Sequence, residues 1–311
     1  MNEFDYIEKY FRPLTSDEAR NLKDDAAIFK QKSNHDLIIS TDTLAEGVHF
    51  FGNENPKDIA KKSLRVNLSD MAAMGAKPIF YNLSISVPKN KVKNFIPKFA
   101  KGLYEDQEFY GLKLIGGDLT SSLQNINITI TIFGETLNKK SISRDGAKIG
   151  DMLYVSGVLG LSKIGLDNFV SNSKSFISAK KRYLFPQPRV DLGLSLNKIA
   201  NCMIDISDGL IQDVGHLAKN SSLSVVLDIE KIPLPSINLS KNLLLDAALY
   251  GGDDYELLFA CNPIYENALK KISLEKNIAL TSIGFFEDFK KKYIKLKNNN
   301  NYIIKSSYTH F

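Results

Sequence analysis

Cysteine is nearly absent: Cys202 and Cys261 are the two in 311 residues. So few and so far apart, they make neither a disulfide framework nor a zinc cage, and a cytoplasmic setting is the expectation. No uninterrupted apolar segment approaches the ~20 residues of a membrane span. The stretch from Met1 to Tyr10 carries Asp and Glu where a secretory signal would have a basic start, so export is not expected. The phosphate-cradling patterns G-x-x-x-x-G-K-[ST] and G-x-G-x-x-G are missing, as are the H-R-D and D-F-G motifs of protein kinases. Gly157-Val158-Leu159-Gly160-Leu161-Ser162-Lys163 has the wrong spacing to replace them. An ATP user of this sequence must therefore hold phosphate through metal and carboxylate. The four histidines, His35, His49, His216 and His310, show no zinc-ligand spacing. Charge of one sign is also scarce: 40 Lys and Arg against 35 Asp and Glu leave +5. The basic runs are short, scattered and without an aromatic-rich RNA motif, so they read as solvated faces rather than a nucleic-acid site.

What is present is ordinary folded material. Hydrophobic residues make up 43% and charged residues 24%, which excludes wholesale disorder, and the length suggests about two domains of ~150 residues. The pattern predicts a mixed α/β fold. Leu37–Ser40 reads as a short buried strand, and Asn55-Pro56 as the capped start of a helix stopping near Gly75. Ile79–Val87 is a strand closed by Pro88. Val92, Phe95, Ile96, Phe99 and Leu103 mark one face of a helix. Leu112–Ile115 reads as a strand ending at Gly116-Gly117-Asp118. Ile126, Ile128, Ile130 and Ile132 alternate with Asn127, Thr129 and Thr131, a strand with one apolar face and one threonine-rich face free for water, ligand or a partner subunit. Arg144–Gly150 looks like a turn-rich join, dividing the chain into 1–148 and 149–311. Beyond it come strands at Met152–Ser156, Cys202–Asp205, Leu223–Ile229, Tyr255–Ala260 and Ile278–Gly284, and a helix over Leu210–Asn220. Asn298–Asn301 is a loop by composition.

Acidic residues recur where apolar strands end: Asp42, Asp118, Asp205 and Asp208, with Asp24-Asp25 before an apolar run and Asp70 within a helix. Carboxylates grouped in space resist ionising together unless cations bridge them. Ligation by Asp, Ser and Thr oxygens suits Mg²⁺, which commonly ties one or two carboxylates to substrate phosphates. Each residue alone also has an ordinary reading: Asp208 as a helix cap, Asp24-Asp25 as an exposed turn, Asp70 as a helix-surface charge, Gly116-Gly117 as punctuation.

The ordered set of segments resembles one family over essentially the whole chain. Lys23-Asp24-Asp25-Ala26-Ala27, Ser40-Thr41-Asp42-Thr43, Glu46-Gly47-Val48-His49-Phe50, Asn67-Leu68-Ser69-Asp70-Met71-Ala72-Ala73-Met74-Gly75-Ala76, Gly116-Gly117-Asp118, Asp205-Ile206-Ser207-Asp208-Gly209-Leu210, Gly251-Gly252-Asp253-Asp254-Tyr255-Glu256-Leu257 and Tyr308-Thr309-His310-Phe311 look like those of the thiamine-monophosphate kinases. These belong to the superfamily of aminoimidazole ribonucleotide synthetase and selenophosphate synthetase. The latter's early reactive thiol has no counterpart, since no cysteine precedes Cys202.

The resemblance implies transfer of the γ-phosphoryl group of ATP to thiamine monophosphate by a cytoplasmic homodimer. Its amino-terminal domain, 1–148, would contribute to a dimeric β-barrel and its carboxy-terminal α/β domain would span 149–311. It implies Mg²⁺ ligands at Asp25, Ser40, Thr41, Asp42, Asp70, Asp118, Asp205 and Asp208, with Asp42, Asp70, Asp118, Asp205 and Asp208 carrying catalysis. Gly117, Asp118, Arg144 and Ser207 would contact ATP, and His49, Asp253 and Tyr308 would line the acceptor site. Two positions depart from the family's usual residues: Lys23 stands for glycine, and Asp253 for a glutamate one methylene longer.

Overall fold

The computed structural model describes residues 3–18, 34–136 and 141–297. The chain divides into two units, Met1–Met71 with Ala76–Lys140, and Ala72–Gly75 with Ser141–Phe311. Arg144–Gly150 groups with the second unit. Lys23, Asp24, Asp25, Asn298–Asn301 and Tyr308 lie outside the described residues.

In the first unit, a short helix α1 (Glu3–Tyr6) precedes β1 (Leu37–Ala45), α2 (Pro56–Ala73), β2 (Lys77–Pro88), α3 (Val92–Tyr110), β3 (Lys113–Ser122) and β4 (Asn127–Glu135). The four strands form one sheet in the order β1-β4-β2-β3. Asn55 starts α2 as the sequence suggests, its Oδ1 accepting the Lys57 N–H at 3.1 Å. The alternation of β4 is realised: Ile128, Ile130 and Ile132 are buried, while Thr129 and Thr131 bond across to Thr43 and Thr41 at 2.8 and 2.9 Å. The apolar stripe of α3 is realised too, with Phe95, Ile96, Phe99 and Leu103 buried.

One expectation fails. The strand read as ending at Gly116-Gly117-Asp118 runs on to Ser122. Parallel pairing with β2 continues through Leu83↔Gly117 and Ser84↔Asp118, so ladder hydrogen bonds override the local tendency of glycine to break a strand. Gly117 serves the close approach of the two strands, since a methyl group there would overlap the Leu83 carbonyl.

In the second unit follow β5 (Met152–Ser156), α4 (Leu161–Asp167), α5 (Ile177–Leu184), α6 (Val190–Leu196), β6 (Ala200–Asp205), α7 (Leu210–Asn220) and β7 (Leu223–Leu227). The unit closes with α8 (Lys241–Tyr250), β8 (Leu257–Cys261), α9 (Glu266–Lys276), β9 (Leu280–Asp288) and β10 (Ile294–Leu296). Its sheet runs β10-β7-β9-β5-β8-β6, antiparallel except for the β10–β7 pair. Leu210, Val214 and Leu217 of α7 and Leu245 and Leu249 of α8 pack on Ile204, Leu258 and Val225 of the strands. Cys202 and Cys261 are free and buried in strands, and burial pushes their thiols up to about 12 and about 11, so neither is a ready nucleophile. Among the described residues no helix is long and apolar enough to cross a membrane.

Phe99 is fully buried in the first unit. Phe99→Ala should lower the unfolding free energy by ~3–5 kcal/mol, the sum of lost transfer energy and a residual cavity. Urea titration of the two proteins measures it, and a loss below about 1 kcal/mol would show that the residue is not held in a packed core.

Candidate active site

In the first unit, β1 presents alternate side chains to opposite faces. Ser40 and Asp42 lie on the face that meets α2, and two hydrogen bonds tie strand to helix there: Ser40 Oγ donates to Asp70 Oδ2 at 2.5 Å, and the Asp42 N–H donates to Asn67 Oδ1 at 3.2 Å. Ser40, Asp42 and Asp70 are thus gathered by one strand and one helix. Thr41 faces the other way, bonded to Thr131. Asp118 is not gathered with them. It registers through Ser84 and Thr129 with Thr43, on the exposed face, and its strand is the opposite edge of the sheet from β1. Three inter-strand steps, roughly 14 Å along the sheet, separate the two edges. His49 sits in the turn after β1, its Nδ1 accepting the Ala45 N–H at 3.0 Å, which places the proton of the neutral ring on Nε2. Its carbonyl accepts from Lys62 Nζ at 3.0 Å.

In the second unit, the carboxyl end of β6 delivers Asp205, which is 4% exposed, and the following turn delivers Ser207 and Asp208 to the start of α7. The turn bends at Gly209, at φ +112°, where the backbone packs against Leu249 and Tyr250. A second loop, 251–256, lies alongside. The Asp253 N–H donates to the Ser207 carbonyl at 2.8 Å, and the Tyr255 N–H to the Ile206 carbonyl at 2.9 Å. Gly252 makes this approach possible: its φ is +64°, and a methyl group would overlap the Ser207 carbonyl. Two residues that the sequence assigned to different ligands, Ser207 and Asp253, are thereby neighbours. Asp253 itself adopts φ +58°, and its Oδ1 accepts the Tyr255 hydroxyl at 3.0 Å.

Two residues missed by the sequence reading complete this cluster. Asp213 and His216, on α7, bring a carboxylate oxygen and a ring nitrogen within 4.8 Å of each other and of an Asp208 oxygen. Asp208 does not cap α7, whose N-cap position is Gly209; its Oδ2 accepts from the Gln212 side chain at 2.7 Å. Burial, then the Asp205 and Asp208 carboxylates, push Asp213 well above the usual carboxylate range, opposed by the Asp208 N–H and by Arg144. Burial, followed by Arg144, pulls the His216 imidazole down. Arg144 therefore lies near this cluster, as an exposed side chain on a residue that precedes β5. The signal that could have found the pair was their i, i+3 spacing, which sets both on one face of a helix that starts just after Asp208.

The loop carrying Asp253 is anchored by its neighbours. Glu256 is fully buried and accepts from Ser156 Oγ at 2.5 Å, from Arg189 Nε at 2.7 Å, and from Arg182. Asp254 is 1% exposed and accepts the Gly160 N–H at 2.6 Å at the start of α4. Burial pushes its carboxyl up to about 7, against the pull of the Gly160 N–H and of Arg182. Because the folded state holds this proton more tightly than the unfolded chain, the stability it contributes is greatest below about pH 4 and is lost as pH rises to about 7. Asp254→Asn, which keeps an acceptor for Gly160, should flatten that part of the stability–pH curve. Thermal melts of both proteins from pH 4 to pH 8 test this, and an unchanged slope would refute it.

Comparison with known proteins matches residues 23–136 to the family described as AIR synthase related protein, N-terminal domain. The chain is 40% identical to the thiamine-monophosphate kinase of Buchnera aphidicola subsp. Schizaphis graminum, covering 100% of this chain and 99% of that one. The crystal structure of thiamine-monophosphate kinase from Stenotrophomonas maltophilia K279a superposes with a TM-score of 0.80 at 33% identity, covering 88% of this chain and 89% of that one. A structure of AaThiL complexed with AMPPCP and TMP also has a TM-score of 0.80, at 30% identity over 93% of this chain and 91% of that one. A mixed α/β fold of this match, and identity at this level over its full length, establish that the chain belongs to the thiamine-monophosphate kinase family.

Proposed function

We propose that this protein transfers the γ-phosphoryl group of ATP to the phosphate of thiamine monophosphate by direct in-line displacement, giving thiamine diphosphate and ADP. The observation that carries the reading is the apposition of Ser207, a nucleotide contact by family resemblance, and Asp253, an acceptor contact, through a 2.8 Å backbone hydrogen bond. Full-length similarity to thiamine-monophosphate kinases supports the choice of both substrates.

The acceptor needs no general base. A phosphate monoester has its second pKa near ~6 and is largely dianionic at neutral pH, so its oxygen is already a nucleophile. The difficulty is mutual repulsion of two anions. Ser40, Asp42 and Asp70 in the first unit, and Asp205 and Asp208 in the second, would hold magnesium, with Asp25, Thr41 and Asp118 as the further ligands that the family resemblance implies. Their oxygen donors suit that ion, and the second unit's orphaned carboxylate oxygen, Asp213 Oδ2, fits a neighbourhood built for cations. Magnesium bound there supplies charge neutralisation on the phosphates and on the departing ADP. Arg144 adds a bidentate phosphate contact, and Gly117 and Ser207 offer backbone and hydroxyl contacts to ATP. By the family resemblance Asp253 would answer the positive thiazolium and Tyr308 would line the acceptor site, where an aromatic–cation contact is worth ~0.5–2 kcal/mol. His49 would line the same site.

We further infer a cytoplasmic homodimer. β1 and β3 are the edge strands of the first sheet, and Thr41, Thr43, Thr129 and Thr131 line its outer face, a surface suited to closure against a second copy.

Purified protein incubated with ATP, Mg²⁺ and thiamine monophosphate should form thiamine diphosphate, read by chromatography, and form none when any one component is withheld. Protein that binds Mg-ATP yet makes no thiamine diphosphate would overturn the substrate assignment. Asp70→Asn should reduce turnover about a hundredfold or more while circular dichroism stays unchanged; a rate equal to that of the parent would remove Asp70 from the metal set. Sedimentation equilibrium should return twice the monomer mass, and a monomer would refute the dimer.

A further inference from the structure

We propose that Asp208, Asp213 and His216 form a site in the second unit for one divalent transition-metal cation that accepts an imidazole nitrogen, such as Mn²⁺, in preference to Mg²⁺. The inference stands on the local geometry alone and does not depend on the identity of the phosphate acceptor.

Three observations carry it. First, two carboxylate oxygens and an imidazole nitrogen lie mutually within 4.8 Å. A cation with ligands at ~2.2 Å accepts them up to about 4.4 Å apart, so a few tenths of an ångström of side-chain rotation in the partly exposed Asp208 and His216 closes the set. Second, Asp213 is 1% exposed and its Oδ2 has no hydrogen-bond partner. A buried carboxylate oxygen without a donor is costly, and a cation removes that cost. Third, the donors are held from behind. Gln212 Nε2 fixes Asp208 Oδ2, which orients the carboxylate, and Asp213 and His216 share one face of α7 by their i, i+3 spacing. The further charges acting on the cluster are the carboxylate of Asp205 and the cations of Arg144 and Lys219.

The imidazole decides the metal. Mg²⁺ prefers an all-oxygen shell and gives up water reluctantly, whereas Mn²⁺, Co²⁺ and Zn²⁺ accept nitrogen readily. A site of two carboxylates and one histidine therefore selects the latter group even beside magnesium sites made of oxygen alone. It shares Asp208 with the proposed magnesium set and adds two ligands of its own.

The test uses the full-length protein, stripped of metal by chelation and then titrated with Mn²⁺ in the presence of excess Mg²⁺ and without nucleotide. Bound Mn²⁺ is counted by electron paramagnetic resonance, and the electron spin-echo spectrum is read for nitrogen hyperfine coupling. One retained Mn²⁺ with nitrogen coupling is the expected result. His216→Gln, at a partly exposed position, should abolish the coupling and weaken retention about tenfold or more. Asp213→Asn should weaken it comparably, with circular dichroism and melting confirming the fold of each variant. If Asp213→Asn does not fold, the parent and His216→Gln proteins decide. The proposal is overturned if the parent retains no Mn²⁺ against Mg²⁺, if its spectrum has no nitrogen coupling, or if the coupling survives in folded His216→Gln.

Discussion

Like-charged carboxylates do not pack together in a protein interior without compensation, and this constraint shapes the second unit. Asp205 and Asp213 are almost fully buried and Asp208 adjoins them. In a medium of low dielectric their repulsion is far stronger than in water. Compensation comes from Arg144, from the Asp208 N–H and from Gln212, while burial and the neighbouring carboxylates push the Asp213 carboxyl up. This arrangement, unfavourable by itself, would be favoured by the bound cation proposed above. It explains why the turn after β6 is held so closely. Gly209 and Gly252 allow two loops to touch, and the backbone bonds between 206–207 and 253–255 fix their spacing.

Support for that turn extends away from the charges. Glu256 gathers Ser156, Arg182 and Arg189 beneath the 251–256 loop, and Asp254 ties the same loop to the start of α4. A buried ion cluster of this kind is weak evidence for net stability, because desolvation offsets much of the attraction. Its effect is geometric: it determines where Asp253 sits, at a left-handed φ that a β-branched or bulky residue would not adopt readily. The first unit solves a similar problem more simply. There a single strand and helix, β1 and α2, bring Ser40, Asp42 and Asp70 together through two hydrogen bonds.

Much of this was legible beforehand, for identifiable reasons. The period of β4 and the apolar stripe of α3 follow from burial on one face, and both elements form where the pattern placed them. The Asn55-Pro56 start of α2 follows from capping chemistry, and α7 spans Leu210–Asn220 after the turn at Gly209. Gly116-Gly117 misled, because a glycine pair signals a strand end locally while pairing with β2 favours continuing. Asp213 and His216 went unread, because a search for zinc-type spacing along the chain does not see a ligand set that joins a strand-end turn to the face of the next helix. Thr41 reads as one of a run of donors in Ser40-Thr41-Asp42, yet strand alternation turns it away from its neighbours.

The amino-acid sequence by itself determined which elements form, which faces are apolar and which residues can carry negative charge, since these depend on neighbours a few positions apart. It also determined the family, through motifs kept in order along the whole chain. Only the tertiary structure decided which charges meet. Strand order put Asp42 and Asp118 on opposite edges of one sheet, and the packing of two loops set Asp253 against Ser207. Those proximities are long-range: they arise from how sheets and helices close over a core, and no local pattern encodes the distance between residues that lie dozens of positions apart.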